Sequence, residues 1–285
     1  ESEAGRFKPT AAIASGGVIF DGWDGRFEGM SARFLFDETG RLKEALLEGE
    51  PQARIPITTD GGQAVQVELR ATESVRLLPS AGFSVKGPCV VEVKKEGLRI
   101  ECDGQLLGTG RPSAGSGWLS ASGGVRAAFG TSEYLGEDLE LRGLTASTGE
   151  VQWMAQTSNA ATLSGELSEA EGAPYKVQVG GGIELTTRSS GVVIRRATDA
   201  DIEVFGEGAF RLLAGELKDA SLIARTFQAV GGVYYADREI KARAREAAAT
   251  AGGAMRLEGA EGSPVELELS ALGFGAQGEL TAQSV

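Results

Sequence analysis

The sequence predicts an all-β protein built from tandem copies of one antiparallel unit. A short phrase ending in Gly-Gly-Val recurs with its second glycine at Gly17, Gly124 and Gly232, at spacings of 107 and 108 residues. Apolar and polar residues alternate with a period of two over short segments, as in strands that are buried on one face. Glycine is abundant at 42 residues and proline scarce at 8, which is typical of many tight turns. A period held over the whole chain indicates one copied, stacked unit.

The first copy, residues 1–110, shows this alternation clearly. Its predicted strands are Val18–Phe20, Arg26–Phe36, Leu42–Glu48, Ala64–Arg70 and Ser74–Leu77. Residues 37–40 predict a three-residue hairpin loop, because Gly40 suits the left-handed position of such a loop.

The segment from Cys89 to Cys102 predicts a hairpin with a defined register. If Gly97 takes the left-handed position of the turn, three apolar pairs face each other on one side of the hairpin. These pairs are Cys89 with Cys102, Val91 with Ile100, and Val93 with Leu98. Opposed cysteines permit a disulfide, but two buried free thiols fit the pattern equally well. A metal site is disfavoured, because the chain has no histidine to complete it.

The second copy, residues 111–222, is more divergent, and the third, residues 223–285, is partial. Predicted strands in the second copy are Leu139–Arg142, Val151–Met154, Tyr175–Val179, Ile183–Thr186, Val192–Ile194 and Ile202–Phe205. Those in the third are Met255–Gly259, Val265–Leu269 and Glu279–Ala282. Residues 237–249 have a high intrinsic helix propensity, yet their position in the repeat matches a first-copy strand. We predict a strand there, since tertiary context often overrides propensity.

Charge and composition exclude several functions. The net charge of −12 disfavours nucleic acid and anionic membrane surfaces as partners. The absence of histidine removes the commonest general base and zinc ligand, so we expect no catalytic residue, metal or cofactor. An alternative, a polysaccharide hydrolase, would use carboxylate pairs such as Glu137 with Asp138 or Asp199 with Asp201. Solvated strand faces explain such pairs more simply.

The repeated residues resemble the unit of the OstA-like family, which includes the periplasmic lipopolysaccharide-transport proteins LptA and LptC and the amino-terminal domain of LptD. The family pattern joins a small-residue Gly-Val phrase, a small-x-Ala-x-aromatic segment, a turn and a Leu-x-Gly phrase. The first copy supplies this pattern at 14–18, 30–34, 39–40 and 47–49. The third copy supplies it at 229–233, 242–244 and 257–259, whereas the second copy matches it loosely.

This resemblance implies an extended antiparallel β-jelly roll (a β-taco) whose apolar groove carries acyl chains of lipopolysaccharide or a related lipid towards the outer membrane. It implies a periplasmic location, with any signal peptide or anchor removed, end-to-end contacts with other jelly rolls of the family, and membrane-anchored transport components as further partners. The predicted groove lining is Val18, Phe20, Phe34, Phe36, Val91, Val93, Leu98, Ile100, Val233 and Tyr235. Arg33 and Arg126 are predicted near the groove rim, where they or divalent cations would meet anionic groups.

One alternative is a structural or adhesive repeat scaffold with a closed core and no ligand. Sequence cannot separate the two, because groove and core carry the same apolar pattern. An open apolar channel would favour transport, and a filled interior would favour the scaffold.

Overall fold

The computed structural model describes residues 9–22, 25–59, 61–78, 82–109, 118–145, 147–167, 172–188, 191–206, 208–251, 253–260 and 262–269. Strands β1 to β11 are Ala11–Gly22, Gly25–Phe36, Leu42–Glu48, Gln52–Thr58, Ala64–Ala71, Ser74–Leu78, Gly82–Lys86, Cys89–Val93, Leu98–Cys102, Gln105–Thr109 and Trp118–Phe129. Strands β12 to β22 are Ser132–Thr145, Val151–Thr157, Ala161–Leu167, Ala173–Val179, Ile183–Arg188, Gly191–Val204, Phe210–Ser221, Thr226–Asp237, Ile240–Ala249, Met255–Glu258 and Glu266–Leu269. The protein is therefore all-β in its described part, apart from one 3₁₀ turn at Lys94–Glu96.

All strand pairs are antiparallel, and together they form two arms of one sheet. The first arm contains the short strands β3, β6, β7, β10, β13, β16 and β21. The second arm contains β4, β5, β8, β9, β14, β15 and β22. Long strands such as β2, β11 and β12 pair with first-arm strands through one half and with second-arm strands through the other. Consecutive passes of the chain therefore cross both arms in alternating directions.

The two arms meet along a line that we call the seam, where each pass bends from one arm into the other. Backbone hydrogen bonds join neighbouring passes across this line, for example from Thr72 N to Pro88 O at 3.0 Å and from Gly87 N to Gly104 O at 3.0 Å. Because the seam is hydrogen-bonded, the arms are parts of a continuous, bent sheet. The hairpin turns lie at the other end of each arm, and we call that side the mouth.

The three Gly-Gly phrases adopt the same local structure. Each lies inside a 12-residue strand, β1, β11 or β19, and not in a turn between strands. Both glycines of each pair have a positive φ, between 78° and 90°. Strand pairing shifts register at each of the three pairs, as it does at a β-bulge. The recurring sequence therefore marks the bends of three equivalent long strands at the seam.

The sequence predicts most strands but not all of their bounds. Leu42–Glu48 and the register of the Cys89–Cys102 hairpin are confirmed, and residues 240–249 form a strand. The predicted segments 192–194 and 202–205 belong to one strand, β17, and β1 begins before the predicted Val18. The predicted strand at 279–282 lies outside the described residues. No helix in the described part is long and apolar enough to span a bilayer.

Candidate functional site

The inner face of the sheet is the candidate site, because it carries the predicted groove lining. Buried apolar side chains from both arms form a single cluster that extends from Phe27 in β2 to Ala247 in β20. Of the predicted lining, Val91, Val93, Leu98, Ile100, Val233 and Tyr235 are buried in this cluster, with exposures of 0–6%. Val18, Phe20 and Phe34 are partly buried and pack against it, and Phe36 is half-buried. The interior is thus filled by side chains in the middle and less covered at the β1 end.

The β1 end holds an aromatic group made by two neighbouring passes. The ring of Phe20 lies 5.8 Å from the ring of Phe27 and 5.3 Å from that of Phe34, between centroids. Phe20 comes from β1 and the other two from β2, which are paired strands. Phe27 was not among the predicted lining residues, because strict alternation from Phe34 places it on the opposite face. In the structure the inward positions of β2 change parity between Phe27 and Ala32.

A second aromatic group lies towards the other end of the sheet. The ring of Tyr235 lies 6.0 Å from Phe210 and 6.1 Å from Phe227. The Tyr235 hydroxyl donates to Asp237 Oδ2 at 2.9 Å. Burial is the main cause that raises the pKa of Tyr235, and Asp237 raises it further. Phe227 belongs to the third Gly-Gly phrase, so its place in the repeat could have identified it from sequence.

The two cysteines lie in the second arm beside the seam. Cys89 and Cys102 are directly opposed in β8 and β9, both are buried, and their Sγ atoms lie 3.1 Å apart as free thiols. The contact with Cys102, together with burial, raises the pKa of Cys89. Val91 faces Ile100, and Val93 faces Leu98, as predicted. Four of the predicted lining residues therefore lie together beside the thiol pair.

Two hydrogen bonds of the described residues cross the mouth from one arm to the other. Thr59, in a second-arm hairpin turn, lies with its Oγ1 2.5 Å from Oγ1 of Thr145 in the first arm. The close approach depends on small residues, since a Cβ at Gly61 would lie 2.4 Å from Thr145 Cβ. In addition, Arg225 of a first-arm turn donates to the carbonyl of Gly208 in a second-arm turn at 2.8 Å. These side-chain contacts were not foreseen, because they join residues far apart in sequence or on different turns.

The outer face carries charged side chains, including the arginines predicted near the rim. Arg33 and Arg126 both lie on exposed outer-face positions of long strands, and not at the mouth. Arg126 pairs with Glu133 at 3.0 Å. The prediction that these two arginines lie at the groove rim is therefore wrong, because alternation along each strand directs their side chains away from the interior.

The acidic pairs considered for catalysis also lie outside the interior. Asp201 pairs with Arg211 at 2.8 Å on the outer side of the second arm. Asp138 lines a polar cavity of about 450 Å³ at the seam, together with Glu140, Glu184 and Arg196. Its Oδ1 accepts hydrogen bonds from Thr157 at 2.7 Å and Asn159 at 2.6 Å, which brace the bend. Within the described residues, no group of three His, Cys, Asp or Glu side chains is placed to hold a metal ion.

Comparisons with known protein families, with curated proteins and with solved structures find no match to this chain.

Proposed function

We propose that this chain is a periplasmic β-taco segment of the OstA-like type, which shields the acyl chains of lipopolysaccharide or a related lipid along its inner face. The observation that carries the proposal is the single apolar cluster that continues through all three Gly-Gly strands. A lipid chain needs such a path to stay out of water, since each CH₂ removed from water contributes about 0.8 kcal/mol. A cluster confined to one of the three copies would provide a core but no continuous path for an acyl chain.

The filled interior requires that the sheet open before a chain can bind. The seam is joined by backbone hydrogen bonds, whereas the mouth is crossed by side-chain contacts such as Thr59 with Thr145. Opening would therefore take place at the mouth, with the seam as the hinge. Acyl chains would then take the place of the contacts between the inner faces of the two arms. Burial of the acyl chains and of the inner-face side chains would offset the loss of packing between the arms.

The β1 edge supports end-to-end contact with another protein of the same architecture. Among the described residues β1 pairs with β2 alone, whereas the equivalent strands β11 and β19 are paired on both edges. Ile13 and Ile19 of β1 are 79% and 60% exposed. A further antiparallel pass would cover this edge as β9 and β10 cover β11, and would continue the inner face.

The filled interior favours one alternative function, a closed-core spacer without a ligand. Val91 is 0% exposed and Ile100 is 1% exposed, as in an ordinary core. In that case the exposed β1 edge would still connect copies or partners, but no lipid would enter.

Photocrosslinking in cells that make lipopolysaccharide distinguishes the two functions. A benzoylphenylalanine at Phe20, Phe34 or Tyr235 replaces an inner-face aromatic residue with a ring of related shape, and the same group at Arg33 or Glu92 is the outer-face control. Lipid shielding predicts adducts with lipopolysaccharide from the inner positions alone. Adducts limited to Arg33 and Glu92, or none from any position, would contradict it and leave the spacer function.

A further inference from the structure

The indole of Trp153 in β13 is a buried hydrogen-bond donor without an acceptor. Buried and half-buried residues alternate along β13, so Trp153 faces the interior, and it is 3% exposed. Among the described residues no acceptor lies within hydrogen-bond distance of its Nε1, which is itself shielded from solvent. The Trp153 backbone N–H, in contrast, donates to Thr187 Oγ1 at 3.0 Å. Buried polar groups nearly always have a partner, so the unpaired indole N–H requires an explanation.

The Trp153 ring lies on the inner face beside the mouth. A Cβ at Gly143, which is paired with Trp153, would lie 3.2 Å from Trp153 Cζ3 and 3.2 Å from Thr59 Cγ2. Trp153 is therefore a neighbour of Thr59, whose hydroxyl contacts Thr145 across the mouth. A molecule that enters between the arms at this contact would pass the indole.

The interior around this donor is uncharged. The buried polar residues of the described part are all neutral, namely Thr59, Ser132, Thr157 and Thr186. Arg142, next to Gly143 in β12, alternates to the outer face. A charged group brought to Trp153 would lose its hydration without gaining a counter-charge, which is costly. A neutral oxygen would gain a hydrogen bond there at a lower cost of desolvation.

We infer that Trp153 Nε1 donates to an uncharged oxygen of the bound ligand, and that Trp153 thereby selects chains with an ester, amide or hydroxyl oxygen over plain hydrocarbon and over carboxylate ends. The inference rests on the proposed function, because the ligand must first enter the interior. Binding would supply an acceptor to a donor that has none in this structure. No protein hydrogen bond of Nε1 has to break, so the gain from the new bond should appear in the affinity.

The test is calorimetric titration of the whole chain with methyl octanoate, octanoate and 1-chlorooctane, each below its solubility limit and micelle concentration. We expect methyl octanoate to bind about tenfold more tightly than 1-chlorooctane, as one hydrogen bond allows, and more tightly than octanoate. In Trp153→Phe the ester and the chloride should bind equally. Tyr175→Phe is the matched control and should keep the preference for the ester, because it removes a buried aromatic donor that already binds Ser132 Oγ at 2.7 Å.

Tryptophan emission measures the hydrogen bond directly. In a chain with Trp23→Phe and Trp118→Phe, Trp153 is the only tryptophan. Methyl octanoate should move its emission to longer wavelength than 1-chlorooctane does, since an indole N–H that donates to an oxygen emits at lower energy. The same emission maximum with both ligands would show that the bound ester does not accept from Nε1.

Failure of this inference and failure of lipid shielding give different results. Equal binding of ester and chloride, tighter binding of octanoate than of the ester, or an ester preference that survives in Trp153→Phe overturns the role of Trp153 and leaves lipid shielding intact. Binding of none of the three ligands by the unaltered protein overturns both. If Trp153→Phe does not fold, benzothienylalanine at position 153 takes its place, because it replaces the indole N–H by sulfur and keeps the shape of the ring.

Discussion

Cys89 and Cys102 are placed to form a disulfide with each other, since they are directly opposed and their sulfurs are in contact. We expect oxidised glutathione to accept two electrons and two protons from the pair, which leaves an intramolecular disulfide and two glutathione thiols. Mass spectrometry should show the loss of two hydrogens. Urea unfolding should show a gain in free energy of unfolding of roughly 1–3 kcal/mol from the closed loop.

Cys102→Ala is the control for this oxidation, because it removes one partner and keeps the buried site apolar. Oxidised glutathione should therefore leave the free energy of unfolding of this variant unchanged. Thiols that stay free in the oxidised sample, or a disulfide that forms only between chains, would contradict the predicted bond.

Tyr134 is fully buried and donates its hydroxyl proton to the carbonyl of Asp138 at 2.5 Å. Burial raises the pKa of Tyr134 to about 12, above its ordinary value near 10. The neutral form is favoured in the folded state, so its contribution is complete below pH ~10 and is lost as the pH rises towards ~12. We expect a loss of about 2–3 kcal/mol across that interval, measured by urea unfolding.

Tyr134→Phe separates this effect from the titration of other groups. The variant should be less stable than the original by about 1 kcal/mol at pH ~8, since the Asp138 carbonyl loses its donor. That difference should shrink as the pH rises above ~10 and change sign before pH ~12, because the Tyr134 contribution that is lost exceeds the initial difference. A difference that stays constant up to pH ~12 would show that Tyr134 has no part in the alkaline response.

At the scale of elements, the paired glycines set where each long strand bends. Gly123 and Gly16 are equivalent in β11 and β1, with φ values of 86° and 89°. A Cβ at Gly123 would lie 2.8 Å from Gly104 Cα of the preceding pass, whereas one at Gly16 would meet nothing within 4 Å. The difference arises because β11 has a neighbour on that edge and β1 has none among the described residues.

The two alanine variants should therefore differ in stability. Gly16→Ala should cost about 1 kcal/mol, the usual strain of a positive φ. Gly123→Ala should cost about 2–4 kcal/mol, because backbone atoms must also move. Urea unfolding of the two variants measures the loss of free energy of unfolding in each. Equal losses would indicate that the positive φ, and not the close approach of Gly104, is what requires glycine at these positions.

The segment β20 has an intrinsic preference for helix but forms a strand in the structure. Residues 240–249 contain five alanines and several charged residues, a composition that favours a helix. In the structure this segment pairs with β19 on one edge and with β21 and β22 on the other. Small alanine side chains also suit an inner face, where Ala242 and Ala247 are buried. Pairing on both edges thus outweighs a small intrinsic preference.

At the scale of the molecule, opening at the mouth predicts that a covalent link there blocks lipid binding. Thr59→Cys with Thr145→Cys, made with Cys89→Ala and Cys102→Ala, replaces the observed hydroxyl contact by a disulfide between the arms. Uptake of a fluorescent fatty acid should be much slower in the oxidised protein and recover after reduction. The measurement is the increase in fluorescence as the probe leaves water.

A link within one arm is the matched control. Thr162 and Gln178 are directly opposed in β14 and β15, so a cysteine pair there joins two strands without crossing the mouth. This link should leave uptake unchanged. Equal uptake by the oxidised and reduced mouth variants would mean that lipid reaches the interior by another path, such as the β1 end.

Sequence reasoning was most successful where the determinants are local. The register of the Cys89–Cys102 hairpin follows from the turn at Gly97 and the alternation of its two strands, and the structure confirms it. The prediction of arginines at the groove rim was wrong, because the rim is formed by turns of the two arms that lie close together only in the folded sheet. Arg225 reaches Gly208 through such a contact, whereas Arg33 lies on an outer face.

The sequence by itself determined the strand content and the register of local hairpins such as Cys89–Cys102, since period-two alternation and turn glycines act over a few residues. Only the tertiary structure decided that both inner faces fill one cluster, that Thr59 meets Thr145 and that Arg225 lies at the mouth. The physical reason is that these contacts depend on the angle between the arms. That angle results from the sum of many bends along the seam and is not encoded in any one segment.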